Sequence, residues 1–566
     1  MENVGKLISG LILLVLLNSA VEAQVPGGVD YFDFPLRIAP KLNANFGEMR
    51  NNHFHMGLDI ATESRENIPV YTPADGYVGR MKIELSGFGR AIYINHTNGT
   101  TTLYAHMNRF LPEAEQYLKA QQYALQQWKT DLTVPPDLIP VKKGQLIGYS
   151  GNTGASQGPH VHFEIRDTQT ENCLNPLFYR FPLRDDTPPD VIRLAFYDRD
   201  KSVYEQKPVV VPVIKKGTGY VAGNIQLPFE RAMVAIQATD RITGFQNPNG
   251  IYGASIHHAG RMLSAFQLNN ISYDQTRALN GHIDYLSRFR GGPYYQMIFP
   301  PRAYRLNIYS GEGLSDHLEV PTAPEEFQIR VSDASGNSST VDFRLSGKLA
   351  VPETPSPKQG MLIQPRQVNI YEDEHIQFVF PEYTFYDNFY FQVRSIFTQT
   401  AAFLSSTFQA VPEYIPVNNH FVVRMKPNRN MGLVDTGRVV IRRTYRTKTE
   451  LKKAVAEKGW FSASFRDFGF FQLIEDKEPP ALGANLQKGM LIRQGFRIVL
   501  KPTDNLNTIS DVRLLVDDKW LLLQQTWSGY VYTVDENFPT GEHKLTAIVK
   551  DEAGNVTTRD WIVTRN

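Results

Sequence analysis

Cysteine is almost absent from this chain of 566 residues: Cys173 is the only one. No intrachain disulfide can form, so stability has to come from packed cores and from any bound metal. A lone cysteine serves most often as a small buried hydrophobe. Charge of one sign is lacking too. The formal net charge of +1 removes any long-range electrostatic case for nucleic acid or an acidic polymer. There is no His-Glu-x-x-His pattern, which excludes a metalloprotease built around that motif's glutamate base. Long apolar runs are missing as well: the longest, Leu7 to Leu17, falls short of the ~20 residues that cross a bilayer.

That run has the grammar of a secretory signal. Lys6 precedes it, and Val21-Glu22-Ala23 supplies a small-residue cleavage site, leaving Gln24 as the first mature residue. No cysteine follows the cleavage site, which argues against a lipoprotein. The expected product is an exported protein without a transmembrane segment, placed in the periplasm or at the cell surface or beyond.

Proline marks the boundaries downstream. Asp186-Thr187-Pro188-Pro189, the stretch Val351 to Pro357 and Glu478-Pro479-Pro480 punctuate the chain. Between them lie β-branched and aromatic runs that read as strands, such as Val209 to Ile214, Gln377 to Phe380 and Val439 to Ile441. The first and last of these regions echo one another. One opens on Thr187-Pro188-Pro189 and closes on Val331-x-Asp333-x-Ser335-Gly336-Asn337. The other opens on Glu478-Pro479-Pro480 and closes on Val549-x-Asp551-x-Ala553-Gly554-Asn555. The closing pattern reads as a hairpin turn, in which Gly and Asn tolerate positive φ.

The chemistry concentrates upstream. In Gly158-Pro159-His160-Val161-His162-Phe163-Glu164 two histidines stand two apart. On a strand such residues share a face, roughly 6.6 Å apart. One imidazole can bind a metal while its neighbour stays free for proton transfer. His55-Met56-Gly57-Leu58-Asp59 lies about a hundred residues earlier. Ligand atoms on one zinc are only some 3 to 4 Å apart, whereas residues four apart on a strand are separated by about 13 Å. The chain must turn between His55 and Asp59. Gly57 at the midpoint is expected to supply the dihedrals, in preference to a helical turn.

These segments belong to an ordered series: Asn45-Phe46-Gly47, Arg50, His55-x-Gly57-x-Asp59, Ile68 to Gly76, Gly87-Phe88-Gly89, Ile92-x-Ile94-x-His96, Thr102 to Met107, Val141 to Gly148, Gly151 to Gly154 and Gly158 to Glu164. The series resembles the LytM/lysostaphin type of zinc metallopeptidase, family M23, over roughly residues 40–170. The resemblance implies that His55, Asp59 and His162 are the ligands of one zinc per chain. It implies that His106 and His160 are the catalytic histidines, without dividing acid–base and oxyanion roles between them. The implied fold is mainly β: an antiparallel peptidase domain at 24–183, followed by accessory domains. The regions 187–349 and 478–566 resemble immunoglobulin-like β-sandwiches, and 358–476 reads as β-rich. With residues 1–23 as the signal peptide and no disulfide crossing Asp186, the segment 24–183 is expected to fold by itself.

Several residues have plainer readings. His53 shares a strand face with His55, but the His-x-Gly-x-Asp frame selects His55. His96 reads as support for a core strand. Glu164 reads either as a carboxylate behind a ligand histidine or as a solvated strand residue. His257 and His258 face opposite ways on one strand and read as structural. Glu113 to Trp128 is rich in helix formers and ends at Pro135-Pro136, so a helical insertion is expected at the rim, shaping access or decorating an edge. The resemblance implies hydrolysis of peptide bonds in peptidoglycan stems or cross-links, with the accessory domains free to contact a protein partner. The rivals are a non-catalytic peptidoglycan-binding scaffold and a zinc endopeptidase acting on proteins. All five expected positions are filled, which favours the enzyme.

Overall fold

The computed structural model describes residues 25–304, 306–311, 315–347, 358–396, 403–428, 431–432 and 434–566. The expected signal peptide and the proline-rich stretch Val351 to Pro357 lie outside them. The N-terminal region is built on a ten-stranded sheet. Its main path comprises β1 (Leu42–Ala44), β2 (Leu58–Ala61), β3 (Gly76–Ile83), β4 (Arg90–His96), β5 (Thr100–Ala105), β6 (Thr130–Thr133) and β7 (His160–Asp167), in spatial order β1-β2-β7-β5-β4-β3-β6. All these pairings are antiparallel. β5 is buried along its whole length. β7 divides cleanly with period two. Val161, Phe163 and Ile165 are fully buried in the apolar core, so His160, His162, Glu164 and Arg166 share the other face.

Helix α1 (Pro112–Leu125) is the insertion. Pro112 sits in its first turn, where a missing N–H costs nothing. Glu113 and Glu115 complement the N-terminal end of the dipole.

Downstream, three regions each contribute two sheets. The first has sheets of five and seven strands, the middle one of six and five, the last of four and five. The first and last share an uncommon feature, a parallel pair in an otherwise antiparallel sheet: Gly219–Leu227 with Ser338–Gly347, and Met490–Ile492 with Val556–Arg565. Their closing turns match as well. Gly336 and Gly554 both have φ of 95°, a conformation that requires glycine. Asn337 and Asn555 do not take positive φ. Each instead donates its backbone N–H and its amide to the aspartate four residues earlier. The middle core is built from phenylalanine, with Phe378, Phe380, Phe391, Phe421, Phe468 and Phe471 in mutual edge and tilted contact.

The apolar core of the first accessory region is continuous with that of the N-terminal sheet. The contact is specific. β8 (Cys173–Leu174) pairs on one side with β7 and on the other with β9 (Asn270–Ile271), which comes from the accessory region. The Asn45 amide donates to Gly250 O at 2.7 Å and accepts from Gly250 N at 3.0 Å. Leu268 packs so closely on Gly47 that a Cβ there would meet it at 2.4 Å. Two buried hydrogen bonds at about 1 kcal/mol each and a buried leucine at about 2 kcal/mol exceed what a flexible tether would contribute. Residues 24–183 alone should therefore melt about 10 °C below residues 24–347, as calorimetry of the two fragments would show. Equal melting temperatures would mean that the packing adds nothing to the N-terminal unit.

Candidate metal centre

Strand register assembles the site. Asp59 on β2 lies directly across from His162 on β7, and His162 lies across from Ala105 on β5. His106 follows Ala105 at once. His55 enters from the segment before β2. The turn between His55 and Asp59 is present, but Gly57 does not take positive φ. Its role is close approach: a Cβ would stand 2.3 Å from Phe163 O. The glycine is needed because the chain runs against β7, which differs from the dihedral reason expected of it.

Three donor atoms meet. His55 Nε2 is 2.9 Å from Asp59 Oδ1 and 3.0 Å from His162 Nδ1, and His162 Nδ1 is 3.0 Å from Asp59 Oδ1. The far ring nitrogens fix the tautomers. His55 Nδ1–H donates to Asn45 O at 2.7 Å, so Nε2 carries a lone pair. His162 Nε2 lies 2.8 Å from Glu164 Oε1 and donates to it, so in the neutral ring Nδ1 carries the lone pair. Two imidazole lone pairs and a carboxylate oxygen pointing at one another have no proton to share when both rings are neutral. They suit a dication, since two histidines and one aspartate are zinc ligands. Arg50 takes Asp59 Oδ2 at 3.2 Å, leaving Oδ1 for the centre. Burial disfavours charge on Asp59, but His55, His160 and His162 outweigh it and hold the carboxyl well below its usual range. Burial also opposes charge on His162, yet Asp59 and Glu164 on either side raise it to about 9. The two carboxylates thus favour positive charge at this point.

Two further imidazoles border the trio. His160 Nε2 is 3.4 Å from Asp59 Oδ1, while its Nδ1–H donates to Gly158 O at 2.8 Å. His106 Nδ1–H donates to Thr153 O at 2.7 Å. The rings of His106 and His160 are 4.7 Å apart. His106 has φ of 61°, a left-handed conformation uncommon outside glycine. Its N–H is pinned to Phe88 O. Burial, reinforced by His160 and His162, pushes His106 down to about 3, so its ring is neutral.

Glu164 resolves to the first of its two readings. It is fully buried behind His162. Arg166 donates to its Oε2 from Nε at 2.7 Å, and Tyr273 O–H donates to Oε1 at 2.5 Å. Burial opposes its charge, but Arg166 and His162 hold it down at about 2. Tyr273 belongs to the first accessory region, and the Arg166 guanidinium lies 4.4 Å from its ring centre. Cys173 is buried beside the same carboxylate, Sγ to Oε2 3.3 Å. Burial and Glu164 push its thiol well above the usual range, so it stays neutral.

The remaining candidates lie elsewhere. His53 is exposed, with Nδ1 3.0 Å from Asn51 O. His96 is buried between Asp75 O and Thr102 Oγ1. His257 meets Ser255 and His258 meets Glu325. Helix α1 neither frames the histidines nor hangs free. Glu115 pairs with Arg90, while Lys119 reaches Asp535 and Glu536 of the last sandwich at 2.7 Å each, and Tyr123 packs edge-on to Trp520.

A His-His-Asp donor set with two adjoining imidazoles is thus carried on an antiparallel sheet, an arrangement that suits a metal centre. Residues 53–125 and 139–176 match Peptidase family M23. The N-terminal part of the chain is thus an M23-family peptidase domain. Residues 361–476 match the Zu5-like domain. The chain is 28% identical over 161 residues to an uncharacterized metalloprotease of Haemophilus influenzae, covering 27% of this chain and 28% of that one. It is 32% identical over 141 residues to the DD-carboxypeptidase/endopeptidase Mpg of Neisseria meningitidis, covering 25% and 26%. The similarity thus spans about a quarter of each relative's length. A zinc-containing peptidase from Vibrio cholerae aligns at 25% identity over 27% of this chain and 41% of that one, with a TM-score of 0.20.

The roles of Asn45, Arg50, Arg166 and Tyr273 are not legible in the sequence. Asn45 and Arg50 stood in the ordered series, but a backbone carbonyl has no sequence signature, and Tyr273 arrives from another region. Loss of a partner behind a ligand histidine typically costs about 10–100-fold in metal affinity. Glu164→Gln should fall in that range and lower stability by about 3–5 kcal/mol, since it strands buried Arg166. Tyr273→Phe should cost less of both. Competition with a chromophoric chelator and thermal melts measure the pair. Equal affinities in all three proteins would show that the carboxylate does not tune the centre.

Proposed function

We propose that this chain is an exported zinc metalloendopeptidase that hydrolyses peptide bonds in bacterial peptidoglycan. The observation that supports this most is the convergence of the His55 and His162 lone pairs on Asp59 Oδ1, with both far nitrogens committed to protein acceptors. His55, Asp59 and His162 would hold the zinc. When bound, zinc polarises the scissile carbonyl and lowers the pKa of water toward about 7. The chain's own groups do the rest. His106 and His160, each anchored through Nδ1–H, present Nε2 as a proton acceptor. Whichever accepts the proton then donates it to the leaving amine, and the other can steady charge at the carbonyl oxygen. Placement outside the cytoplasm accords with the N-terminal signal. Among the described residues no helix is long and apolar enough to cross a membrane. The substrate class follows the relatives, Mpg among them, which is named for carboxypeptidase and endopeptidase activity.

Ala at His55, Asp59 or His162 should strip the zinc measured by emission spectrometry. Ala at His106 or His160 should keep the zinc and lose turnover by about 10²–10⁴-fold. Incubation with defined muropeptides, with and without a chelator, followed by mass spectrometry, identifies the bond cut. A zinc-loaded protein that leaves every muropeptide intact would return the reading to a binding or scaffold role, or to a protein substrate.

A further inference from the structure

The echo between the first and last accessory regions extends to a cluster of carboxylates. Asp185, Asp240 and Asp333 bring one oxygen each to within 4.8 Å of one another, and Asp476, Asp504 and Asp551 do the same. The frames correspond residue by residue. Asp185 and Asp476 each stand three residues before a Pro-Pro pair. Asp240 and Asp504 each follow a threonine. Asp333 and Asp551 open the Gly-Asn turns. The supporting bonds correspond too. Asn337 Nδ2 donates to Asp333 Oδ2 at 2.7 Å and Asp185 O at 3.0 Å. Asn555 Nδ2 donates to Asp551 Oδ2 at 2.8 Å and Asp476 O at 3.0 Å.

Crowding three carboxylates is unfavourable by itself, and burial makes it worse. Asp240 is 3% exposed and its Oδ1 has no hydrogen-bond partner, and Asp476 is 3% exposed with Oδ2 equally unpartnered. Asp504 Oδ1 is a third buried oxygen of this kind. A buried oxygen without a donor is rare in folded proteins and points to a water or an ion beside it. A cavity of about 30 Å³ opens onto Asp185 and Asp240, bounded also by Leu183, Ile242 and Ala334. Burial, then Asp333 and Asp185, pushes Asp240 up to about 8, against a smaller opposing effect of the Arg241 backbone N–H.

We propose that each triad is a binding site for a divalent cation of the calcium class. The donors are all oxygen, which excludes the soft and nitrogen-preferring metals. Calcium takes six to eight oxygens at 2.3–2.6 Å in flexible geometry, so three carboxylates whose oxygens lie within 4.8 Å of one another can share one ion. Magnesium keeps several of its waters and is held by one or two carboxylates, which suits a three-carboxylate cluster less well. Each site ties the strand that enters a sandwich to two of its loops. Asp185 ends the connection from the peptidase domain and Asp476 the connection from the middle region. The cations would therefore stiffen the two joints of the chain, independently of the zinc centre.

Calcium titrated calorimetrically into the metal-stripped full-length protein tests this, with Asp240→Asn, Asp504→Asn and the double variant alongside. Asparagine keeps the volume and removes the charge. Wild type should take two calcium ions per chain, each single variant one, and the double variant none. Calcium at ~100-fold above its dissociation constant should raise the wild-type melting temperature by several degrees and leave that of the double variant unmoved. In chelator, Asp240→Asn should melt no lower than wild type, because the aspartate there meets only like charge; this also shows that the variant folds. Absence of calcium uptake by wild type up to ~1 mM, the weak end of extracellular sites, would overturn the proposal. So would a calcium-dependent shift that survives in the double variant.

Discussion

A carboxylate fully removed from water, Glu164, sits directly behind the His162 ring, and much of the N-terminal architecture answers to it. Burying an ion costs several kcal/mol unless good geometry repays it. Repayment here comes from His162, Arg166, Tyr273 and Cys173, all aimed at two oxygens. Arg166 is available because it lies two residues along the same strand face. Tyr273 is available only because the first accessory region packs on the sheet. The local electrostatic requirement and the continuous core across Asp186 are thus two views of one constraint. An imidazole whose tautomer matters needs a rigid acceptor, and a rigid buried acceptor needs a wall that the N-terminal sheet does not complete by itself.

That His55, Asp59, His106, His160 and His162 would gather at one place was legible in the sequence for a simple reason. Strand periodicity places His160 and His162 on one face, and the ordered motif series carries His55, Asp59 and His106. What was illegible is of another kind. Gly57 reads as a turn glycine, yet its necessity comes from Phe163 O, a hundred residues away. The turns at Gly336 and Gly554 were legible, but the asparagines beside them act through their side chains and not through φ. Glu164 stayed ambiguous because its neighbour Tyr273 is 109 residues distant. Solvent exposure of a strand residue depends on what covers the sheet, and hydrophobic patterning records that poorly for charged residues.

Proline punctuation marked where the chain changes sheets but said nothing about contact. Asp185 and Asp476 stand at comparable places in the sequence, while the packing around them differs. Across the first, an edge strand, a pair of amide bonds and Leu268 join two regions into one core. The last sandwich keeps a core of its own and meets the middle region through a small cluster of Val440, Leu451 and Ile474 with Ala553. It reaches the peptidase domain through α1, by Lys119 with Asp535 and Glu536 and by Tyr123 on Trp520.

That contact gives the insertion its physical meaning. Lys119 and its partners are partly exposed, and pairs of that sort contribute at most about 1 kcal/mol each. The Tyr123–Trp520 edge contact adds about 0.5–1.5 kcal/mol beyond its buried area. Such an interface is weaker than a domain core and can open without unfolding either side. Helix α1 also grips the strand-to-helix connection just after His106, since Glu115 accepts from Phe110 N and pairs with Arg90. His106 itself sits in a left-handed conformation, which persists only where its surroundings over-determine it. Phe88 O and Thr153 O hold His106 itself, while the helix that grips the connection after it touches the last sandwich on its other side. Displacement of that sandwich would reach α1 directly and, through Glu115, the Phe110 backbone and Arg90, the connection that follows His106.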